Sequence, residues 1–305
     1  MTARLARRAR GAALGLVADR FLGEPPAHLH PVAAFARIMT TVEQGIYRDS
    51  AVDGSVYAAG GVAIGVGAGA VTGSTVVAVA LGAAGRMLRR EAIAIEQLLG
   101  RGELAAARRR LSVLCGRDAS ALNQSGIAAA VIESVAENTV DAVVAPALWA
   151  VALGAPGTLA YRAVNTMDAM VGHRDGRYDR FGWCAARLDD AANLVPARIT
   201  AALVVALRPT RGPAIARCVR RDAPAHPSPN AGVAEAAFAG ALDVELGGKL
   251  RYGARVEHRP RLGRGVRPQP PDIGRAVRLA DQVDVALVAL LLVPTLVARA
   301  RRRRR

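Results

Sequence analysis

The sequence predicts an all-α fold, that of a polytopic integral membrane protein with polar cytoplasmic helices and loops. Hydrophobic residues make up 52% of the 305 positions, the mean hydropathy is +0.21, and only 4% of the residues are aromatic. This apolar share exceeds that of an ordinary soluble domain. We expect a single membrane domain over residues 1–305, with enough chain to bury a substantial core.

The N-terminal segment, residues 1–54, begins with an arginine-rich stretch that resembles a signal peptide. Its apolar run covers only Gly11 to Ala18, and no cleavage site of small residues follows it. We therefore expect this stretch to be retained.

The membrane segment, residues 55–85, contains no charged residue. As one helix it would extend for about 46 Å, more than the roughly 30 Å hydrocarbon core of a bilayer. Its glycines recur every four residues at Gly61, Gly65, Gly69 and Gly73, a stripe of small residues that allows close approach of a second helix. A tilted span and a tight hairpin both fit this pattern.

The rest of the chain divides into three segments by composition. Residues 86–207 form a helical core that carries the motifs, and the uncharged stretch Ala142–Ala160 within it is expected to re-enter the membrane or lie buried in protein. Residues 208–282 are polar and rich in Gly and Pro, which predicts a surface loop or flexible arm. Residues 283–305 are expected to form a C-terminal helix with a basic tail at anionic headgroups.

Charge and cysteine content exclude two classes of protein. The net charge is +16, but arginines are scattered through every polar segment and no platform of aromatic and basic residues is present, so we expect no nucleic-acid partner. The cysteines Cys115, Cys184 and Cys218 are far apart and lack C-x-x-C spacing. They are expected to be reduced thiols rather than a disulfide frame or a zinc cluster.

Three carboxylates are expected to form a stripe on one helix. If residues 127–145 are helical, Glu133, Glu137 and Asp141 fall at i, i+4 and i+8, where like charges repel. Val143 and Val144 follow at once, so the stripe should face a cation or basic side chains. We predict a Mg²⁺ site, since this ion takes hard oxygen ligands; an internal network of Arg and carboxylate groups is the alternative. Asn138 is predicted to contact substrate.

A second polar cluster lies between Tyr161 and Arg198. Arg162, Asn165 and Asp168 are spaced i, i+3 and i+6, broadly on one side of a helix. Arginine pairs with phosphate or carboxylate, an amide can orient substrate, and a carboxylate can accept an amine proton or hold a metal. Arg174 and Arg187 follow as further predicted anion contacts. Asp189, Asp190 and Asn193 fit either additional ligands or a helix cap with ion pairs.

Two other polar positions have equally open roles. His30 precedes Pro31 in a rigid turn that either shapes the site or is only a turn. Asn230 lies in the segment HPSPNAG, which fits either a backbone cradle for an anion or the start of a helix. The chain has no G-x-x-x-x-G-K-[ST] motif, so ATP would have to bind without a Walker loop.

Taken together, these segments resemble the CobD/CbiB family of cobalamin biosynthesis, the adenosylcobinamide-phosphate synthases. The resemblance covers most of the chain, and five segments carry it: DRFLGEPP…HP, GRDAS, ESVAENTVDAVVAP, YRAVNTMDAMVGHRDGRYDRFGWCAARLDD and SPNAGVAEAAFAGAL. The chain departs from the family pattern at Ala142 (Gly in the pattern), His173 (Tyr) and Val233-Ala234 (Trp-Pro).

The resemblance implies a multi-pass enzyme of the bacterial inner membrane with its active site facing the cytoplasm. Its substrates would be adenosylcobyric acid, which is a corrinoid, and aminopropanol or its O-phosphate, joined as an amide with ATP and Mg²⁺. Membrane lipid, other enzymes of the pathway or a second copy of the chain would be its partners. An intramembrane Mg²⁺-dependent phosphotransferase and a non-catalytic corrinoid carrier are the alternatives.

For such a reaction we assign roles as hypotheses. Glu133, Glu137 and Asp141 would hold the metal, and Glu137, Asn165 and Asp168 would be catalytic, with Asp168 as base or further ligand. Six residues would bind substrate or phosphate: Arg162, Arg174, Arg187, Asn138, His30 and Asn230.

Overall fold

A computed structural model describes residues 3–23, 30–116, 118–173, 176–252 and 255–303 of the protein. This part of the chain is nearly all helical. Its helices are α1 (Ala3–Leu22), α2 (Pro31–Ile46), α3 (Ala51–Thr72), α4 (Thr75–Gly82), α5 (Gly85–Gly100), α6 (Leu104–Leu111), α7 (Gln124–Thr139), α8 (Ala145–Leu153), α9 (Ala155–Val171), α10 (Trp183–Leu207), α11 (Gly212–Asp222), α12 (Ala231–Leu242) and α13 (Pro270–Arg303). The strands are β1 (Leu246–Tyr252) and β2 (Arg255–Leu262).

The chain groups into two compact units, each built from more than one stretch of sequence. The first unit comprises Met1–Ala84, Asp141–Asn193 and Leu287–Arg305, and the second comprises Gly85–Val140 and Leu194–Ala286. The boundaries fall inside or beside helices, where the composition of the chain does not change. Sequence composition therefore gives no sign of them.

The glycine stripe of α3 packs on α9 in the first unit, which confirms the predicted close approach of a second helix. A Cβ atom at Gly65 would lie 2.6 Å from the carbonyl oxygen of Leu159, and side chains at Gly61 and Gly69 would collide with Met167 and Pro156. Only glycine lets the two helices approach this closely. This contact fixes α9, which carries the second polar cluster.

The uncharged segment 55–85 does not form one long helix, so a single tilted span is wrong. Helix α3 ends at Thr72. Gly73 follows it with a left-handed φ of 64°, a conformation that favours glycine. Ser74 then caps α4 by accepting a hydrogen bond from the Val77 N–H. Of the described helices, Ala51–Thr72 and Trp183–Leu207 are long and apolar enough to cross a bilayer, and about a third of each apolar window is buried.

The prediction of a surface loop or flexible arm over residues 208–282 is wrong. The segment contains α11, α12, the start of α13 and an antiparallel hairpin of β1 and β2, in which Leu246 lies opposite Leu262 and both are fully buried. Gly and Pro suggested a loop, but the glycines serve packing here. Gly247, with φ 75°, lies at the irregularity in strand register between Leu246 and Gly248. The hairpin also makes the fold nearly, rather than wholly, α-helical.

The helix predicted over residues 127–145 is interrupted by a π-helical turn at Val140–Val144. Glu133 and Glu137 lie in α7, whereas Asp141 lies in the π-turn. Because Asp141 lies inside the wider turn, the regular α-helical spacing does not extend from Glu133 and Glu137 to Asp141, and the predicted i, i+4, i+8 stripe is wrong. Turns of this kind are frequent at functional sites.

Candidate active site

In the first unit, polar residues of α9 and of the start of α10 meet Asp141 of the π-turn. Helix α9 begins after Gly154, whose φ is 77°, with Pro156 in its first turn, where a missing N–H costs no helical hydrogen bond. Packing against α3 and α8 then fixes the rotation of α9. Arg162 and Asn165 lie one turn apart on it and are half-buried, so they are fixed by packing and still accessible.

Asn165 joins two carboxylates that come from different elements. Its Nδ2 donates to Asp141 Oδ2 at 3.1 Å and to Asp189 Oδ1 at 3.2 Å. Both aspartates are half-buried, and each is 24 residues from Asn165 in sequence. The fold thus brings two negative groups to one amide nitrogen, where their mutual repulsion favours a nearby cation.

Arg162 supplies a positive charge beside these carboxylates. The Arg162 Nη1 atom donates to Asn165 Oδ1 at 3.0 Å. This bond fixes the orientation of the Asn165 amide, because the amide oxygen must face the guanidinium and the amide nitrogen must face the carboxylates. The Nε atom of Arg162 is buried and has no hydrogen-bond partner among the described residues. Such an unsatisfied donor is costly unless an acceptor binds there, so Arg162 is suited to an oxyanion.

A second layer of buried groups holds Asp189 in place. Asn193 Nδ2 donates to Asp189 Oδ2 at 3.0 Å, and the Tyr161 hydroxyl donates to Asn193 Oδ1 at 2.9 Å. Tyr161 and Asn193 are 3% and 2% exposed, so both are positioning residues. Burial raises the pKa of Tyr161, and the carboxylates of Asp141 and Asp189 raise this pKa further. The hydroxyl therefore remains a protonated donor.

The backbone of α10 is also adapted to this site. Pro196 lies inside the helix and has no N–H to bond the carbonyl of Ala192, four residues earlier. Trp149 Nε1 from α8 donates to that carbonyl at 3.2 Å instead. The first turns of α10, which carry Asp189 and Asn193, are thereby tied to α8.

A cavity of about 80 Å³ lies beside the start of α10. His173, Tyr178, Trp183, Arg187 and Asp190 are among its lining residues, so the predicted anion contact Arg187 faces a cavity. Arg187 Nη1 lies 3.5 Å from Asp190 Oδ2, and 60% of the Arg187 side chain is exposed. An ion pair this exposed is weak, so Arg187 can exchange it for a ligand anion. Arg174 lies outside the described residues.

The loop between α9 and α10 is anchored to α2 by a carboxylate that the sequence analysis missed. Glu43 is 7% exposed and its Oε1 accepts hydrogen bonds from the Tyr178 hydroxyl at 2.7 Å and from Arg177 Nη2 at 3.0 Å. The Arg177 guanidinium lies 4.5 Å from the Tyr47 ring centroid, a cation–π contact. Burial raises the pKa of Tyr178, and its hydrogen bond to Glu43 adds to this rise. The only sign of this role in the sequence is that Glu43 is the single carboxylate of the amphipathic helix α2.

The other predicted site residues of the first unit have local contacts. Asp168 is half-buried in the last turn of α9, where a Cβ at Gly172 would collide with its carboxylate. His30 caps α2, because its Nδ1 accepts a hydrogen bond from the Val32 N–H at 3.1 Å. This contact agrees with the interpretation of His30 as part of a turn. Contact of His30 with substrate stays a prediction.

Four predicted residues belong to the second unit. Glu133 is 2% exposed and accepts a hydrogen bond from the Gly247 N–H at 2.7 Å, while Glu137 is exposed on α7. Asn138 Nδ2 donates to the Ser134 carbonyl at 2.9 Å. Asn230 immediately precedes α12, and its Oδ1 accepts a hydrogen bond from Arg198 Nη1 at 2.8 Å.

The described side chains do not gather a three-residue metal cluster. Among residues 3–23, 30–116, 118–173, 176–252 and 255–303, no group of three or more His, Cys, Asp or Glu side chains is placed to hold a metal ion. The first unit instead brings together two aspartates, one amide and one guanidinium. We refer to Asp141, Arg162, Asn165 and Asp189 as the Asn165 network.

The fold and this network define a nearly all-helical protein in whose first unit two carboxylates and a guanidinium meet at one amide. The sequence pattern of the CobD/Cbib protein family matches residues 12–280. The chain belongs to the CobD/CbiB family.

Curated relatives cover almost the whole chain. A protein of Mycobacterium tuberculosis is 47% identical over 305 residues, 94% of this chain and 96% of its own length. Proteins of Chromobacterium violaceum and Geobacter metallireducens are 41% and 39% identical, over 88% and 91% of this chain and 91% and 93% of their own lengths. Each bears the name cobalamin biosynthesis protein CobD. No solved structure matches the chain.

Proposed function

We propose that the protein is an adenosylcobinamide-phosphate synthase, which condenses adenosylcobyric acid with aminopropanol or its O-phosphate in an ATP-dependent reaction. The bond formed is an amide between the substrate amine and a propionate carboxylate of the corrinoid. Membership of the CobD/CbiB family supports the pathway. The Asn165 network is the observation that carries the choice of site.

The reaction needs an activated carboxylate, because a carboxylate ion does not react with an amine under mild conditions. Phosphorylation by ATP to an acyl phosphate is the activation we propose. The guanidinium of Arg162, with its buried Nε donor, would bind a phosphate or carboxylate oxygen beside Asn165. Arg187 would bind a second anionic group at the cavity beside the start of α10.

The donor set of the Asn165 network fits Mg²⁺. This ion is commonly held by one or two carboxylates, with water and substrate phosphates in the remaining positions, and Asp141 and Asp189 converge on one amide. These two residues would hold the ion, which neutralises phosphate charge when bound. Metal binding by Glu133 and Glu137 stays a prediction.

The amine must lose one proton as its nitrogen bonds to the carboxyl carbon and phosphate leaves. Asp168, three residues after Asn165 on α9, is our candidate to accept that proton at a carboxylate oxygen. Asn165 would orient the substrate through its amide, and Tyr161 and Asn193 would keep Asp189 in position. We also propose that α3 and α10 lie in the bacterial inner membrane and that the site opens to the cytoplasm.

The test uses the full chain in nanodiscs with adenosylcobyric acid, aminopropanol O-phosphate, ATP and Mg²⁺, and identifies products by mass spectrometry. We expect the condensed corrinoid, with ADP and phosphate, and a parallel reaction with free aminopropanol establishes which amine is used. Phosphate transfer without amide formation would indicate a phosphotransferase instead. Corrinoid binding without any product would indicate a carrier.

The matched variants are Asp189→Asn, which keeps the shape of the side chain and removes its charge, and Asp49→Asn, which changes an exposed loop carboxylate of the same unit. We expect Asp189→Asn to lower kcat/KM and to raise the Mg²⁺ concentration needed for half-maximal rate. Asp49→Asn should match the wild type. Equal Mg²⁺ dependence in all three proteins would reject the assignment of Asp189.

A further inference from the structure

The second unit contains a basic cavity that the proposed function does not use. Its volume is about 220 Å³, larger than that of the cavity beside α10. Helix α11, the end of helix α12 and the turn after β2 line it. Ten residues line it, of which four are arginines and one is an aspartate.

Two of the four arginines are held in place by acidic partners. Arg211 Nη2 lies 2.7 Å from Asp243 Oδ1, and its Nε donates to the Gly240 carbonyl at 3.1 Å. Arg221 pairs with the carboxylate of Asp222, which also accepts the Gly263 N–H at 2.9 Å. These bonds fix two guanidinium groups at the cavity without a ligand.

The other two arginines, Arg217 and Arg264, have no acidic partner among the described residues. Arg217 makes only a hydrogen bond to the Pro213 carbonyl of its own helix, at 3.3 Å. It also lies at i, i+4 from Arg221 on α11, a spacing at which like charges destabilise a helix. The arrangement therefore leaves uncompensated positive charge at the cavity, where an anion would relieve the repulsion.

The size of the cavity restricts which ligands can bind in it. Its volume is below the range of about 300–1,000 Å³ that encloses drug-sized ligands, so it suits a small anion or the anionic group of a larger molecule. Cys218 lies in its wall and is 5% exposed. Burial, together with the neighbouring Asp222 carboxylate, raises the pKa of this thiol to about 12. The thiol therefore stays protonated and contributes packing rather than chemistry.

We propose that this cavity is a binding site for a phosphate group with two or more negative charges, a phosphomonoester or a diphosphate. Planar guanidinium groups bind phosphate oxygens in pairs, and Arg217 and Arg264 supply the charge that Asp222 and Asp243 do not neutralise. The residues that line the cavity are not those of the Asn165 network, and the proposal does not depend on the proposed reaction.

The test measures binding of inorganic pyrophosphate to the full chain in detergent by calorimetry, at constant ionic strength and without corrinoid or ATP. We expect saturable binding that is at least about tenfold weaker in the double variant Arg217→Gln/Arg264→Gln, since each lost charged contact is worth about a factor of ten. The control is Arg220→Gln, an exposed arginine of the same helix that does not line the cavity; it should bind as the wild type does.

Equal weakening in the double variant and in Arg220→Gln would reduce the effect to general electrostatic attraction and would overturn the proposal, as would the absence of saturable binding. Competition then identifies the source of the phosphate. Displacement of pyrophosphate by vesicles of phosphatidylcholine with phosphatidic acid, and not by phosphatidylcholine alone, would assign the site to a lipid headgroup. Displacement by a soluble phosphomonoester alone would assign it to a free metabolite.

Discussion

Replacing Asn165 by alanine tests the proposed site most directly. The amide makes three hydrogen bonds, to Asp141, to Asp189 and from Arg162, at 3.0–3.2 Å, and each involves a charged group. Hydrogen bonds to charged groups contribute about 1.5–3 kcal/mol each, and partial exposure of this site favours the lower value. Loss of the two bonds that position the carboxylates corresponds to about 3 kcal/mol, or on the order of a 10²-fold fall in kcat/KM.

The assay compares kcat/KM for amide formation, followed by mass spectrometry, in the wild type, Asn165→Ala and the control Thr166→Ala. Thr166 is the next residue on α9, and its hydroxyl donates to the Arg162 carbonyl at 2.7 Å. We expect a large loss of activity for Asn165→Ala, little change for Thr166→Ala, and similar melting temperatures for both. Full activity of a folded Asn165→Ala protein would refute the role of the network. A loss that simply followed a lowered melting temperature would refute it as well.

Three further predictions concern the loop, the helix contact and the acid response. Glu43→Gln should lower kcat/KM about tenfold and speed proteolysis of the loop that Tyr178 anchors, because one charged hydrogen-bond acceptor is lost; unchanged proteolysis would contradict this. Gly65→Leu should destabilise the first unit by about 1–3 kcal/mol through overpacking. Gly67 has open space around it, so Gly67→Leu should leave the stability unchanged. Thermal melting of the two variants checks this difference. Burial acts to raise the pKa of Asp222, but its hydrogen bonds outweigh burial and hold the pKa below the ordinary aspartate value. The stabilisation by Asp222 is therefore present at neutral pH and is lost as the pH falls through the lowered pKa. Asp222→Asn should melt lower than wild type at neutral pH, and the difference should shrink in acid.

Several parts of the fold follow from local sequence. The helices are set by apolar and small residues, and the spacing of Gly61, Gly65 and Gly69 predicted a close helix contact that the structure confirms. Arg162 and Asn165 were identified because their spacing placed them on one face of a helix. Sequence composition failed over residues 208–282, since glycines that serve close packing in α12 and the hairpin have the same composition as a loop.

The carboxylate partners of Asn165 illustrate the limit of sequence reasoning at the site. Asp141 was assigned to a stripe with Glu133 and Glu137 because an unbroken helix was assumed. The π-turn at Val140–Val144 changes that register, and Asp141 contacts Asn165 instead. Asp189 and Asn193 were equally compatible with ligands or with a cap, since spacing alone cannot say which face of α10 meets α9. Tyr161 and Glu43 were not selected as site residues because a buried polar residue and an exposed one look alike in a single sequence.

The sequence by itself determined the family, the helical character of the chain and the residue types available for anion and metal chemistry, since these depend on motifs and on local periodicity. Only the tertiary structure decided which polar residues meet: Asp141 and Asp189 at one amide, Glu43 at the loop, and four arginines around a cavity in the second unit. The physical reason is that such contacts depend on the rotation and crossing of helices distant in sequence. Those are set by packing of many side chains at once, and no local pattern encodes them.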